Sequence, residues 1–418
     1  MAIANPIALV RMLTPVQRRT FVAAFLGWTL DAFDFFIVTF VIKDISKEFG
    51  LQTTSTLFAI TIALLFRPVG ALIFGTLADK FGRRGPLMAS ILLYSAFELA
   101  SGFAPNFTVL LVLRALYGVA MGGEWGVGAA LSLESMPAQA RGFFSGVLQQ
   151  GYSTGYLLAA IVFYLVEPHF GWRAMFFVGA APALLVVYIR SQIPESDAWK
   201  AQKTSKLGET GNLWRAFTKQ PGLFLYAIVL MAAFNFMSHG SQDLYPTFLR
   251  VQHGFNPGTV SLLAIIANIG AISGGTLFGG YSQRIGRKRA IITSALLGIL
   301  VIPLWAFAPS TALLAVGAFL IQFFVQGAWG VIPVHLNELS PGDVRGTFPG
   351  FTYQLGNALT AFASQIESAF AKKNFPLPGE QEANYGAALA VIMVIVFIVV
   401  AIVTALGKER RGIDFASD

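Results

Sequence analysis

The sequence predicts an all-α membrane protein of twelve transmembrane helices, built as two related six-helix halves. Three observations carry this prediction. Hydrophobic residues make up 55% of the 418-residue chain and charged residues only 12%, whereas a soluble globular chain carries about 25% charge. Twelve apolar stretches are long enough to cross a bilayer, which takes about 20 residues. The two halves also repeat one another at a single offset of 204 residues. Hydrocarbon leaves no partner for open backbone groups, so these stretches must be helices. A β-barrel would show short alternating segments instead.

The stretches, numbered spans 1 to 12, lie near 20–42, 56–78, 86–103, 107–130, 142–166, 172–191, 222–247, 256–283, 289–307, 311–338, 346–370 and 384–406. Arg11, Arg18 and Arg19 lead into span 1, and no small-residue cleavage site follows, so the N-terminus does not read as a cleaved signal peptide. A polar linker at 192–221, with Lys200, Lys203, Lys206, Arg215 and Lys219, separates a first bundle (1–191) from a second (222–418). With both termini cytoplasmic, 21 Lys and Arg fall on the inner side and 6 on the outer side, the bias that sets membrane orientation. The net charge of +8 therefore implies no nucleic-acid partner. The chain has no cysteine, which excludes disulfides and thiolate metal sites, and no metal or cofactor is expected.

The repeat is carried by chemistry-bearing positions. Gly75, Lys80, Gly82, Arg83 and Arg84 match Gly279, Arg284, Gly286, Arg287 and Lys288. Gly123, Trp125 and Gly126 match Gly327, Trp329 and Gly330, and Glu134, Arg141, Gly142 and Gly146 match Glu338, Arg345, Gly346 and Gly350. Six helices per copy give both halves the same orientation, as parallel repeats about an axis along the membrane normal. The loop after span 2, Gly75-Thr-Leu-Ala-Asp79-Lys-Phe-Gly82-Arg83-Arg84, resembles the signature G-x-x-x-D-R/K-x-G-R-R/K of the major facilitator superfamily. That resemblance implies the superfamily's fold, a substrate site between the halves, a monomer, and a cytoplasmic latch made by Gly75, Asp79, Gly82 and Arg83. Asp79 would meet a helix N-terminus or a basic residue such as Arg141. The second copy has Gln283 in place of Asp79, so its latch should be weaker.

Ionisable groups inside the membrane are costly and mark candidate sites. Asp31 and Asp34 share one face of span 1, Arg67 lies near the middle of span 2, and Arg114 on span 4 is followed by Gly118 and Gly122. This R-x-x-x-G pattern is similar to that of proton-coupled members of the superfamily. Asp31, Asp34 and Arg114 are therefore proton-coupling candidates, with structural pairing as the alternative. Glu98, Glu134, Glu338 and Glu367 read as structural or interfacial. At the repeat offset Asp31 and Asp34 correspond to Asn235 and Ser238, and Arg114 to Ala318, so the first half keeps the buried charge.

Span 7 is the most specific segment. Asn235, His239, Gln242 and Asp243 fall in one stripe about 100° wide at 100° per residue, and such a stripe should face water. Histidine can titrate near neutral pH. The run fits N-x-x-S/T-H-x-S/T-Q-D-x-x-x-T and resembles Jen-type monocarboxylate/proton symporters of the sialate:proton symporter family. Gly27-Trp28-Thr29-Leu30-Asp31-Ala32-Phe33-Asp34 and Tyr353-Gln354-Leu355-Gly356-Asn357 look like the same group. The resemblance implies substrate binding by Arg67, Asn235, His239 and Gln354, and proton coupling by His239 and Asp243. The chain is shorter at its termini than the fungal members, which points to a bacterial inner-membrane protein.

The leading expectation is proton-coupled symport of a small monocarboxylate such as lactate or pyruvate. A larger acid, such as sialic acid or an aromatic acid, is the first alternative, and a transporter-like sensor is the second. No H-E-x-x-H or P-loop is found, which argues against an enzyme.

Overall fold

The computed structural model describes residues 6–51, 53–205, 213–377 and 383–415. These are almost entirely helical, and the described residues contain no β-strand beyond one isolated bridge, Pro376 to Ala383. Span 1 is an unbroken helix, Pro15–Glu48, opened by a Thr14–Gln17 capping box. Spans 2 and 3 are Phe58–Phe81 and Arg84–Ser101. Span 8 is Pro257–Ile285, span 9 Arg287–Phe307 and span 12 Tyr385–Leu406.

The other spans are broken, which the hydropathy pattern did not reveal. Span 4 is Phe107–Met121 then Glu124–Glu134, and span 10 is Thr311–Trp329 then Ile332–Leu339. Span 5 begins as Arg141–Gln149 and restarts at Gly151. Gly171, at φ 73°, separates it from span 6, which ends with Ala183–Gln192. Span 7 is Pro221–Gln242 then Tyr245–Val251, and span 11 is Phe348–Leu359 then Ala363–Asn374. Among the described residues, nine segments are long and apolar enough to cross a membrane, and one of them, Arg141–Gln192, holds both spans 5 and 6. Spans 3 and 11 complete the twelve with less: the first has 18 helical residues, and the second is split into two helices of 12.

Close helix contact explains the glycines of spans 2 and 4. A Cβ on Gly70 would lie 1.7 Å from the Val119 carbonyl oxygen, and one on Gly122 would lie 2.0 Å from that of Arg67. The repeat mate Gly274 meets the Phe323 carbonyl in the same way, at 1.9 Å. Backbones that approach this closely exclude any side chain between them. Spans 2 and 8 then end on matched left-handed glycines, Gly82 at φ 103° and Gly286 at φ 98°, a conformation glycine adopts without steric penalty.

Both chain ends lie at one end of the bundle, here called basal. Gln17 Nε2 donates to the Ser135 carbonyl at 2.8 Å, and Arg141 Nη1 donates to the Ile413 carbonyl at 2.7 Å. The linker is not simply solvated. It carries helices Asp197–Ser205 and Leu213–Lys219, while Lys206 lies outside the described residues. Glu195 accepts from the Arg83 N–H at 2.8 Å and the Arg84 N–H at 3.1 Å, and Trp199 Nε1 donates to the Asp79 carbonyl at 2.9 Å. This docks the linker on the basal end of span 2.

Candidate functional site

A cavity of about 580 Å³ lies between the halves. Spans 1, 2 and 5 supply one wall and spans 7 to 11 the other. Its basal floor is aromatic: Tyr353 packs on Trp125 at 4.6 Å, on Trp329 at 5.8 Å and on Trp28 at 6.5 Å between ring centroids. The rings join the halves and separate the cavity from the basal seam. Thr39, Leu57 and Thr61 carry the lining toward the distal end.

Arg67 stands on the first-half wall, as its mid-span position predicts. Its side chain is buried, its guanidinium lies 5.1 Å from the Phe35 ring centroid, and Nη2 faces Met121 Sδ at 2.7 Å. Nε has no hydrogen-bond partner, and no carboxylate pairs with Arg67 among the described residues. A thioether is a weak acceptor. The guanidinium is thus a cation on a cavity wall with no strong acceptor among the described residues, which suits an anionic ligand.

The span 7 stripe faces the same cavity. Asn235, Ser238, His239, Gln242 and Asp243 all line it. Asn235 is anchored by Nδ2 donating to the Met231 carbonyl at 2.8 Å. His239 Nδ1 lies 3.1 Å from Asp243 Oδ2 across one helical turn, so the carboxylate orients the ring. Asp243 closes the first helix of span 7 just before the break. Gln242 Nε2 donates to Gln322 Oε1 at 2.9 Å, and Gln322 Nε2 donates to Ser241 Oγ at 3.0 Å. Gln322, Gln326, Asn268 and Asn357 also line the cavity, and none was singled out from sequence. A signal existed for two of them. At the repeat offset Gln322 and Gln326 stand where the first half has Gly118 and Gly122, so helix-packing glycines have become amides.

Other expected site residues lie elsewhere. Asp31, Asp34 and Arg114 do not line the cavity and are buried inside the first bundle. Arg114 pairs with Glu98, at 2.6 Å, and stacks over the Tyr117 ring at 3.7 Å. Neither aspartate is its partner. Asp34 has no hydrogen-bond partner on either oxygen, and Asp31 has none on Oδ1, among the described residues. Gln354 is likewise off the wall: it is buried, with Oε1 unpartnered, and Tyr353, Asn357 and Thr360 present the cavity face of span 11. One helical residue turns a side chain by about 100°, enough to move it from the wall into the packing.

The basal seam holds the latch residues. Asp79 accepts from the Gly346 N–H at 2.6 Å and the Thr347 N–H at 3.0 Å, both on the opposite half, and from Arg83 Nη1 at 2.6 Å. Gly75 allows this approach, since a Cβ there would lie 2.6 Å from Thr347 Cα. Arg83 also pairs with Glu134 at 2.8 Å, matched in the repeat by Arg287 and Glu338 at 2.9 Å. Arg141 is not the partner of Asp79. Its guanidinium donates to the Met136 and Ile413 carbonyls and stacks on Phe415. The pseudo-symmetry gives the reason. Span 2 packs on the start of span 11, so the start of span 5 falls to span 8, where Gln283 Oε1 accepts from the Gly142 N–H at 3.3 Å. The matching contact is therefore made by a neutral amide, whose Nε2 also donates to the Ala138 carbonyl at 2.9 Å.

Residues 24–364 match the family model described as Major Facilitator Superfamily. The chain is 30% identical to a carboxylic acid transporter protein homolog of Saccharomyces cerevisiae, over 99% of this chain and 71% of that one. It is also 30% identical to the sialic acid transporter NanX of Escherichia coli, over 83% and 85%. Among solved structures it resembles the proton:xylose symporter XylE bound to 6-bromo-6-deoxy-D-glucose. That match has a TM-score of 0.72 and 18% identity, and covers 95% of this chain and 97% of that one.

Proposed function

Because the chain belongs to the Major Facilitator Superfamily, we propose that it is a secondary transporter of organic acids that moves a small monocarboxylate, of the lactate and pyruvate class, together with a proton. The observation that carries this reading is the Arg67 guanidinium, in no ion pair among the described residues, on the wall of a cavity that also holds the His239–Asp243 pair. Arg67 grips the carboxylate. Asn235, Gln242 and Gln322 shape the rest of the pocket. His239 and Asp243 couple the proton, with Asp31, Asp34 and Arg114 as the rival carriers in the first half. A carboxylic acid with a pKa near 4 is an anion at neutral pH. Importing that anion against an inside-negative potential costs about 2.3 kcal/mol per 100 mV, and one accompanying proton removes the penalty.

The basal end is the cytoplasmic one in this reading, and the protein works as a monomer in a bacterial inner membrane. The bundles 1–191 and 222–418 rock about the cavity, joined by 192–221. The closed basal seam and distal cavity correspond to an outward-facing state. Alternating access then requires the Asp79 contacts to break as the distal wall closes.

A second reading, a larger or ring-bearing acid, is favoured by the cavity itself. Its volume of about 580 Å³ and its lining by Trp28, Tyr152, Trp305, Trp329 and Tyr353 offer flat apolar faces that a three-carbon acid leaves uncovered. The similarity to a sialic acid transporter points the same way. Counterflow in proteoliposomes with labelled lactate, pyruvate and sialic acid separates the two readings. Uptake of the accepted acid should rise when the outside is acidic, and an uncoupler should abolish accumulation. Accumulation that follows a sodium gradient and ignores pH would sink proton coupling.

A further inference from the structure

We propose that Glu367 is a proton-holding residue of the second half, forming one functional group with His239 and Asp243 from the layer behind the cavity wall. The transport consequences of this inference rest on the proton-symport reading. The protonation it assigns does not.

Four glutamates read from sequence as structural or interfacial. Three behave as structural groups do: Glu98 pairs with Arg114, Glu134 with Arg83 and Glu338 with Arg287. Glu367 does not. It is fully buried in the helix Ala363–Asn374, and neither carboxyl oxygen has a hydrogen-bond partner among the described residues. Its place is set by Gly240, where a Cβ would lie 3.1 Å from Glu367 Oε1 and 3.2 Å from Met393 Sδ. Gly240 directly follows His239, which lines the cavity. A glycine beside the cavity histidine thus makes room for a carboxyl group behind it.

The surrounding charges are few. The helix of Glu367 packs against Pro221–Gln242 and Tyr385–Leu406. The first contributes His239 and, near its other end, Tyr226, with Asp243 just past its end; the second contributes Tyr385 alone. Neither supplies a lysine or arginine. Lys372 and Lys373 lie in the last turn of the Glu367 helix itself. An ionised carboxylate buried without donors is strongly disfavoured in such surroundings. Asp243 differs: it keeps His239 at 3.1 Å and a side chain 37% exposed. A proton therefore rests on Glu367, while Asp243 keeps its contact with His239.

Both segments that hold the group are hinged beside it. Span 7 breaks at 243–244 and span 11 at 360–362. When these breaks move as the distal side closes, Asn357 can leave His239, and the Glu367 carboxyl O–H can pass its proton to His239 Nε2. Glu367 becomes a carboxylate, His239 an imidazolium, and the new charges pair.

Infrared spectroscopy of the full-length protein in lipid tests the assignment. The wild type minus Glu367→Gln difference should show a deuterium-sensitive protonated-carboxyl band that Asp243→Asn does not remove. Gly240→Ala, which pushes a methyl group at the carboxyl, should shift that band. No band in the first difference overturns the assignment. Glu367→Gln is nearly isosteric, and a monodisperse elution profile confirms its fold. In proteoliposomes, Glu367→Gln should retain exchange of whichever of labelled lactate, pyruvate or sialic acid the wild type exchanges. It should lose pH-driven accumulation and substrate-induced proton uptake, and wild-type values for both would overturn the role in coupling. If the wild type itself moves no protons with substrate, the symport reading fails and the inferred role in coupling with it, while the infrared result still decides the protonation.

Discussion

Replacing Asp79 with Asn should open the basal seam, and the structure sets the size of the effect. The carboxylate accepts two backbone N–H groups from the opposite half, at 2.6 and 3.0 Å, beside Arg83 at 2.6 Å. A hydrogen bond to a charged group contributes about 1.5–3 kcal/mol. Asparagine keeps one acceptor oxygen but turns an NH2 toward the second N–H, so at least one such bond is lost. At 1.4 kcal/mol per tenfold, the closed-to-open ratio at this end should fall about 10- to 100-fold. The matching position, Gln283, makes neutral contacts at 3.3 Å to Gly142 and 2.9 Å to Ala138. Such bonds contribute about 0.5–1.5 kcal/mol each, so each one shifts the ratio by no more than about tenfold. The chain has no cysteine, and Gln139 and Arg284 are both exposed, so Gln139→Cys with Arg284→Cys places a unique spin-label pair across the seam. Double electron–electron resonance should show a longer-distance population growing in Asp79→Asn. Identical distance distributions in wild type and Asp79→Asn would refute the charged-latch argument.

Four further outcomes are expected. Arg67→Ala should abolish substrate binding in a calorimetric or scintillation proximity assay, and Arg67→Lys should recover little, because an ammonium lacks the planar fork; unchanged affinity would relocate the anion site. Asp243→Asn should keep exchange and lose net uphill uptake, whereas normal accumulation there with loss in Asp34→Asn would reassign coupling to the first half. Gly122→Ala should lower the melting temperature, since its methyl group would meet the Arg67 carbonyl at 2.0 Å and overpacking costs about 1–3 kcal/mol; it should weaken binding too, by shifting Arg67. Arg83→Ala leaves Glu134 and Asp79 buried beside a lost cation, a change worth about 3–5 kcal/mol, and a thermal shift assay should show a large drop in melting temperature.

Much of the site could be read without coordinates. The span 7 stripe is local to one helix, and its period is a property of that helix, so Asn235, His239 and Asp243 reach the cavity as expected. Arg67 follows for a related reason: a charge at mid-span must find water or a partner. Gln322 and Gln326 escaped because amides in an apolar helix stand out less than charges. Glu367 read as structural or interfacial together with Glu98, Glu134 and Glu338, because its sequence does not show that it lacks the arginine partner the other three have.

By itself, then, the sequence determined the twelve spans, the repeat and the polar stripe. Each of these depends on composition or on periodicity within one segment, and the bilayer allows only one backbone solution for an apolar segment of that length. The tertiary structure alone decided partnerships. Arg114 belongs to Glu98 rather than to Asp31 or Asp34, Asp79 to the start of span 11 rather than to Arg141, and Gln354 to the packing rather than to the cavity. Which neighbour covers a given helix face depends on breaks such as those at Gly122 and Thr360, and on which helices cross in the pseudo-symmetric bundle. Those are set by backbone contacts between residues far apart in the chain, and hydropathy within a span carries no record of them.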